Sequence, residues 1–323
     1  MVTQRKRLFT HPLSLLLVWV ALLCLPACTQ AEFTLREDNT IQGPVKIYPD
    51  MSDYTLPAVH YYFYHINDVV ACITRECDGK GNFEGTLPVG TYRVIATNID
   101  AGNVEFSDMG SHRSAKATLS EFTPSRSGHF SRATQTVLAQ PGKVYSTIID
   151  ELKVTAYGEE RHTPSPALLT RQVTLSFTLM DGLEEEVSTI SGTLNGVYPS
   201  VQLYSCQHST ESAVQSPTMA VLFQTTAEDN IHRARVSLFG LCNPSYGTVY
   251  SSVLQLQLDM NDGSTDTTTF DLTDSLSAII EQNAGTIPIQ LQLLIELRKT
   301  DVGIEVGVVE WIEGGEDEQD IYE

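Results

Sequence analysis

His60 and His65 bracket the aromatic run Tyr61-Tyr62-Phe63-Tyr64, and two imidazoles so close together are a common beginning of a metal site. Strand geometry argues against it, because an odd separation sends the two rings to opposite faces of a sheet. The stretch Asp259-Met260-Asn261-Asp262-Gly263-Ser264 has the oxygen-rich look of a calcium loop. Its glycine falls at the fifth position instead of the sixth, and Phe270 stands where a bidentate glutamate belongs, so a hairpin turn is the expectation. Gly110-Ser111-His112 reads as a loop tripeptide. The chain contains no Gly-x-Ser-x-Gly elbow, no His-Glu-x-x-His pair and no phosphate-binding glycine loop. Carboxylates assembled from distant loops, as glycosidases use them, leave no local pattern to find. The chain is therefore expected not to be an enzyme, with no catalytic residue, no metal and no cofactor.

One cysteine does carry a chemical signal. Arg5, Lys6 and Arg7 precede an uncharged apolar run from Leu13 to Leu25, the layout of a secretory signal. That run is too short for the roughly 20 residues a membrane-crossing helix needs. It ends in Leu25-Pro26-Ala27-Cys28, which resembles the bacterial lipobox, whose cysteine thiol is acylated after cleavage. Residues 1–27 then form a signal peptide and Cys28 is the lipidation site, with cleavage at an ordinary signal site nearby as the alternative. Several acyl chains (palmitate and its like) hold a protein stably, since each buried methylene contributes about 0.8 kcal/mol.

Removal of residues 1–27 takes away three basic and no acidic residues, which moves the formal net charge from −20 to −23. Nucleic acid is excluded as a partner, because a polyanion needs clustered Lys and Arg and here 40 acidic residues face 20 basic ones. The excess gives a solvated surface.

The elements that remain to be placed are strands. Val45–Tyr48, Val59–Ile66 and Val144–Ile149 read as strands of a first half. In Leu87-Pro88-Val89-Gly90-Thr91-Tyr92 the proline and glycine fit a type I turn, so two strands reverse there. Ser107–Arg132 is polar with weak periodicity and reads as a long loop or irregular edge. A second half repeats the alternation in Val173–Leu179, Leu254–Met260, Thr267–Phe270, Ile287–Leu297 and Ile304–Val308. Leu272, Leu276, Ile279 and Ile280 have helical spacing behind a cap at Asp271 or Thr273. The polar, proline-bearing stretch Gly158–Pro166 marks the boundary, giving domains at 28–160 and 161–312 and an acidic, mobile tail at 313–323. Cys72, Cys77, Cys206 and Cys242 allow three disulfide connectivities, of which this division favours Cys72–Cys77 and Cys206–Cys242; four buried thiols are the alternative.

Taken together, the lipobox at Cys28, the stretch from Asn82-Phe83 to Asn98, Leu238-Phe239-Gly240, Leu254–Met260, Asp262-Gly263, Phe270-Asp271-Leu272-Thr273 and Val308-Val309-Glu310-Trp311 resemble the fimbrillin-associated anchor proteins, the lipid-anchored accessory subunits of type V fimbriae. The resemblance spans most of the mature chain. It implies an all-β fold, two transthyretin-like (Greek-key) β-sandwich domains in tandem with one short helix in the second. It also implies export to the outer membrane, fimbrial shaft subunits as partners through β-strand addition, and a role in fixing the shaft to the cell or ending its growth. In polymerising relatives an arginine-specific protease removes an N-terminal strand; here a cut at Arg36 would release the lipid, so Arg36 is expected to stay intact. The competing reading is a lipid-anchored adhesin for glycan or a host ligand, with Tyr61, Tyr62 and Tyr64 as its sugar platform instead of core.

Overall fold

A computed structural model describes residues 41–50, 58–67, 72–77, 80–98, 100–122, 137–209, 216–222, 224–226, 231–283, 287–301 and 303–313. The signal segment, Cys28, Arg36 and residues 314–323 lie outside them. The strands are β1 (Gln42–Ile47), β2 (Val59–His65), β3 (Ile73–Cys77), β4 (Phe83–Pro88), β5 (Gly90–Asn98), β6 (Val104–Ser107), β7 (Lys116–Leu119), β8 (Val137–Leu138), β9 (Tyr145–Val154), β10 (Glu160–His162) and β11 (Ala167–Leu168). They continue with β12 (Arg171–Leu179), β13 (Val187–Asn195), β14 (Ser200–Gln202), β15 (His208–Ser209), β16 (Thr218–Leu222), β17 (Gln224–Thr226), β18 (Ile231–Leu238), β19 (Val253–Met260), β20 (Thr265–Asp271), β21 (Gln290–Thr300) and β22 (Gly303–Glu313). Among the described residues, helical structure is confined to Leu183–Glu186, Thr273–Gln282 and a 3₁₀ turn at Pro244–Tyr246. The fold is an all-β sandwich, as alternation along the chain requires.

Two sheets, β10-β1-β4 and β11-β9-β5-β2-β3, enclose a first core. Val45 and Ile47 on β1 point into it while Lys46 between them stays outside and pairs with Glu159. Tyr61 and Phe63 enter from β2 and meet Phe83, with the Phe63 and Phe83 rings 5.1 Å apart. Tyr61 keeps its hydroxyl satisfied by donating to the Gly81 carbonyl at 2.6 Å.

The Leu87–Tyr92 motif joins two strands at a reversal, as expected, but not two strands of one sheet. β4 ends at Pro88 and β5 starts at Gly90, but they lie in different sheets, so the chain crosses the core there. Leu87 and Tyr92 are both buried, which pulls the two strands to opposite walls, and the Val89 N–H donates to Ile41 ahead of β1. Tyr92 donates to the Pro88 carbonyl at 2.8 Å and closes the corner. A Cβ on Gly90 would sit 2.7 Å from His65 Nε2, so a side chain there would displace the imidazole.

A second pair of sheets, β17-β18-β12-β21-β22 and β20-β19-β13-β16-β8, shares a larger core that includes Leu175, Phe177, Leu194, Val236, Leu256 and Leu293. β21 runs parallel to β12, and β8 parallel to β16. A third sheet, β15-β14-β7-β6, brings the chain halves together: β7 precedes residue 160 yet pairs with β14. Ala101, Ala115, Ala117 and Leu119 accordingly belong to the second core. Within the expected loop Ser107–Arg132, Lys116–Leu119 is thus a strand, while 123–132 lie outside the described residues. The stretch Gly158–Pro166 contains β10, which adds parallel to β1.

The helix Thr273–Gln282 forms where its spacing predicts. Asp271 Oδ1 accepts from the Thr273 N–H at 2.8 Å, and Leu272, Leu276 and Ile280 are buried. The calcium-like stretch is a tight β19–β20 hairpin: Gly263 has φ 85°, and the Met260 N–H donates to the Ser264 carbonyl at 2.8 Å.

Candidate assembly edge and the junction between the halves

A sheet can accept a strand from another chain only along an unpaired edge, and proteins guard such edges with shortness or charge. Strands β8, β11 and β15 are two residues long, and β10 and β17 three. β3 exposes Thr74, Arg75 and Glu76. The longest strand at a sheet end is β22, with eleven residues. Its inner edge is paired from Thr300↔Gly303 to Leu291↔Glu313, with a bulge between Leu294 and Ile295. On its outer edge the Ile304 carbonyl accepts from the Thr268 hydroxyl of β20 at 3.5 Å. Ile304 therefore turns its backbone groups away from β21, and with a period of two Val306 and Val308 do the same. Among the described residues no strand forms a backbone ladder with that side, although β20 packs alongside it at Thr268. The strand runs one residue past the point where the tail is expected to begin.

Elsewhere, the two halves of the chain meet on the outer face of the sheet that contains β5. Polar residues there look solvent-facing by pattern, yet Thr97 and Ser146 are buried, and Ser146 donates to the Leu203 carbonyl at 2.7 Å. Tyr64 donates to the Met109 carbonyl at 3.1 Å. Arg93 Nη1 donates to His112 Nε2 at 3.1 Å, and the His112 ring lies between Tyr64 and Tyr204, at centroid distances of 5.9 and 5.0 Å. Tyr204 in turn donates to Asp150 at 2.5 Å, and burial together with that carboxylate raises its pKa. The tripeptide Gly110-Ser111-His112 thus supplies a buried member of the junction. No periodicity marks it, since the partners lie on three separate elements and a loop.

A second polar cluster surrounds the Leu238-Phe239-Gly240 motif. His208 stacks on Tyr198 at 4.7 Å and donates from Nε2 to the Phe239 carbonyl at 2.8 Å; burial pushes its pKa down to about 4. A Cβ on Gly240 would meet the Tyr198 ring at 3.0 Å, which explains the glycine. Arg171, its guanidinium pKa lowered by burial, donates to the Leu168 carbonyl at 2.8 Å.

The four cysteines are free thiols, so neither expected disulfide forms in this structure. Cys72 and Cys77 bracket an extended strand, and at about 3.3 Å per residue their Cα atoms are far beyond the roughly 7 Å a disulfide can span. Burial raises the Cys72 and Cys206 thiols and pushes Cys242 up to about 12, which keeps them protonated and poor nucleophiles. His60 faces Glu76 at 3.4 Å whereas His65 packs edge-on against Tyr92, so the two histidines do not converge. No group of three or more potential ligands occurs among the described residues. Tyr61 and Tyr64 are buried, and of the proposed sugar platform only Tyr62 remains partly exposed. No helix among the described residues is long and apolar enough to cross a membrane.

These features define a multi-sheet β-sandwich protein with one long edge strand that, among the described residues, carries no outer ladder, and a polar seam between its halves. The chain belongs to the family of the domain of unknown function DUF5119, whose model matches residues 43–218. No curated protein matches the sequence. Among solved structures, the fold is similar to that of a candidate adhesin from Bacteroides ovatus, with TM-score 0.57, 15% identity, and coverage of 74% of this chain and 85% of that one. It is also similar to a protein from Bacteroides thetaiotaomicron described as a candidate polysaccharide-binding protein (DUF1812), with TM-score 0.52, 11% identity, and coverage of 86% and 99%. The fimbrial anchor protein Mfa2 from Porphyromonas gingivalis matches with TM-score 0.50, 13% identity, and coverage of 83% and 95%. At these identities the likeness is one of fold.

Proposed function

We propose that this protein is a non-enzymatic, lipid-anchored surface subunit of a fimbria, held in the outer membrane through Cys28 and joined to shaft subunits by β-strand addition. The observation that carries this reading is the outer side of β22, which has no backbone ladder and is eleven residues long, the longest edge strand among the described residues; β20 touches it at Thr268, so an incoming strand would enter beside that contact. Backbone N–H and C=O groups along such an edge supply affinity, while alternate side chains of an incoming strand supply specificity. The lipobox supports the anchor, and the fold shared with a fimbrial anchor protein and candidate adhesins supports the setting. The burial of Tyr61 and Tyr64 removes most of the aromatic platform on which a glycan-binding adhesin would rest.

Mild detergent extraction of native membranes tests the proposal. The expected result is a membrane-borne protein that co-isolates with a ladder of shaft subunits, and a folded Cys28→Ala variant that leaves the membrane fraction. Persistence of Cys28→Ala in the membrane would reject lipid anchoring. A wild-type monomer that carries polysaccharide and no subunit ladder would favour the adhesin.

A further inference from the structure

Seven large hydrophobic side chains are exposed among the described residues, and four of them, Ile41, Ile66, Val89 and Tyr157, gather at one pole of the first sandwich. The pairing registers place them together. Ile41 leads into β1 and its carbonyl accepts from Val89, at the crossing from β4 to β5. Ile66 follows β2, and its N–H donates to the Thr91 carbonyl. Tyr157 follows β9, whose last residue Val154 pairs with Gly90, and a Cβ on Gly43 would lie 2.2 Å from the Thr155 carbonyl of the same loop. Tyr157 is 103% exposed and Ile41 65%, so neither is core.

The surroundings are as unusual as the exposure. Segments 41–44, 65–67, 88–91 and 155–158 contain no Asp, Glu, Lys or Arg, although 19% of the chain is charged and its net charge is −20; Lys153 and Glu159 stand at their margin, Glu159 neutralised by Lys46. Acidic, well-solvated proteins do not commonly leave an uncharged apolar pole open to water; such patches mark contact sites. The described residues begin at this pole, and Ile41 follows Cys28 by 13 residues, a length of chain that spans at most about 45 Å.

We infer that this pole is a lipid-contact surface, which sets Ile41, Ile66, Val89 and Tyr157 into the headgroup layer of the membrane that holds the Cys28 acyl chains. The inference rests on the lipid-anchor reading. It adds an orientation: the first sandwich stands pole-down on the bilayer and does not swing freely on its tether. A tyrosine flanked by aliphatic residues suits the interface, where an amphipathic ring keeps its hydroxyl hydrated while its body leaves water.

The test uses the full chain, processed by a bacterial host that acylates lipoproteins and then reconstituted into phosphatidylethanolamine–phosphatidylglycerol vesicles with or without brominated acyl chains. Once the signal peptide is gone Trp311 is the only tryptophan, so a Tyr157→Trp, Trp311→Phe variant reports the pole alone. If Trp311→Phe disturbs folding, the difference spectrum between Tyr157→Trp and its parent gives the same reading. On brominated vesicles, emission from position 157 should shift to the blue and fall about two-fold, as expected of a ring some 5–10 Å below the headgroup surface. A Val249→Trp control at the exposed turn of the second half should keep its intensity. Emission from position 157 that ignores bromine in acylated, vesicle-bound protein would overturn the inference while leaving the anchor intact. A blue shift already present without vesicles would overturn it too, by showing that residues 29–40 or a second copy cover the pole. Mass spectrometry of the N-terminus separates the remaining case: an unacylated chain rejects the anchor itself, and the orientation falls with it.

Discussion

His208 donates its Nε2 proton to the Phe239 carbonyl at 2.8 Å and lies against the Tyr198 ring, and its burial holds the pKa down to about 4. In the unfolded chain an imidazole takes up a proton near pH 6.5. Between those two values the unfolded state binds a proton that the folded state refuses. The stabilisation is therefore complete above pH 6.5 and lost progressively as the pH falls toward 4, to a total of about 2–3 kcal/mol. Burial lowers the pKa of His232 as well, in the same sense. Only a comparison isolates His208. In His208→Gln the side-chain amide can still donate to Phe239 but cannot charge, so denaturant unfolding between pH 7.5 and 4.5 should show a shallower loss of stability than in the wild type. Parallel pH profiles for the two proteins would show that His208 does not carry the effect.

At the level of elements, alternation made β12, β19 and β21 legible in the sequence, because each has one face in a core and one in or near solvent. The same rule failed on β5 and β9. Thr97 and Ser146, paired on neighbouring strands, occupy positions that a two-layer sandwich would leave wet, but here a third layer covers them. β7 was missed because its buried residues are Ala117 and Leu119, and alanine gives a weak apolar signal. Leu87–Tyr92 was legible as a reversal and not as a crossing between sheets, since which sheet a strand joins is decided by partners far away in sequence. The edge character of β22 was equally hidden, although its strand pattern was plain. That edge gives the element-scale prediction. Val308 should turn its N–H outward, so Val308→Pro removes a donor from the free edge without taking one from the ladder to β21. Stability should change by about 1 kcal/mol or less, and membrane anchoring not at all, while co-isolation with shaft subunits is lost. Wild-type recovery of those subunits with the proline variant would rule out this edge as the assembly surface.

On the scale of the whole molecule, the chain path decides how the halves respond to stress. Strands β6, β7 and β8 come from the first half of the sequence but sit in sheets with β14 and β16. Arg93, His112, Tyr204 and Asp150 then tie the first sandwich to the loops that cover it. A cut between residues 162 and 167 would break one peptide bond and none of these pairings. A site for a specific protease inserted there should therefore yield a nicked protein that elutes from a sizing column as one species and separates only in denaturant. Its thermal unfolding should remain a single transition, because the second core cannot keep Ala115, Ala117 and Leu119 once the first half departs. Two independent transitions, or fragments that part without denaturant, would mean that the halves are separable domains joined by a linker. A unified body would also have a functional consequence under the proposed attachment: tension between a partner at β22 and an anchor at Cys28 would pass, among the described residues, through paired strands and packed side chains.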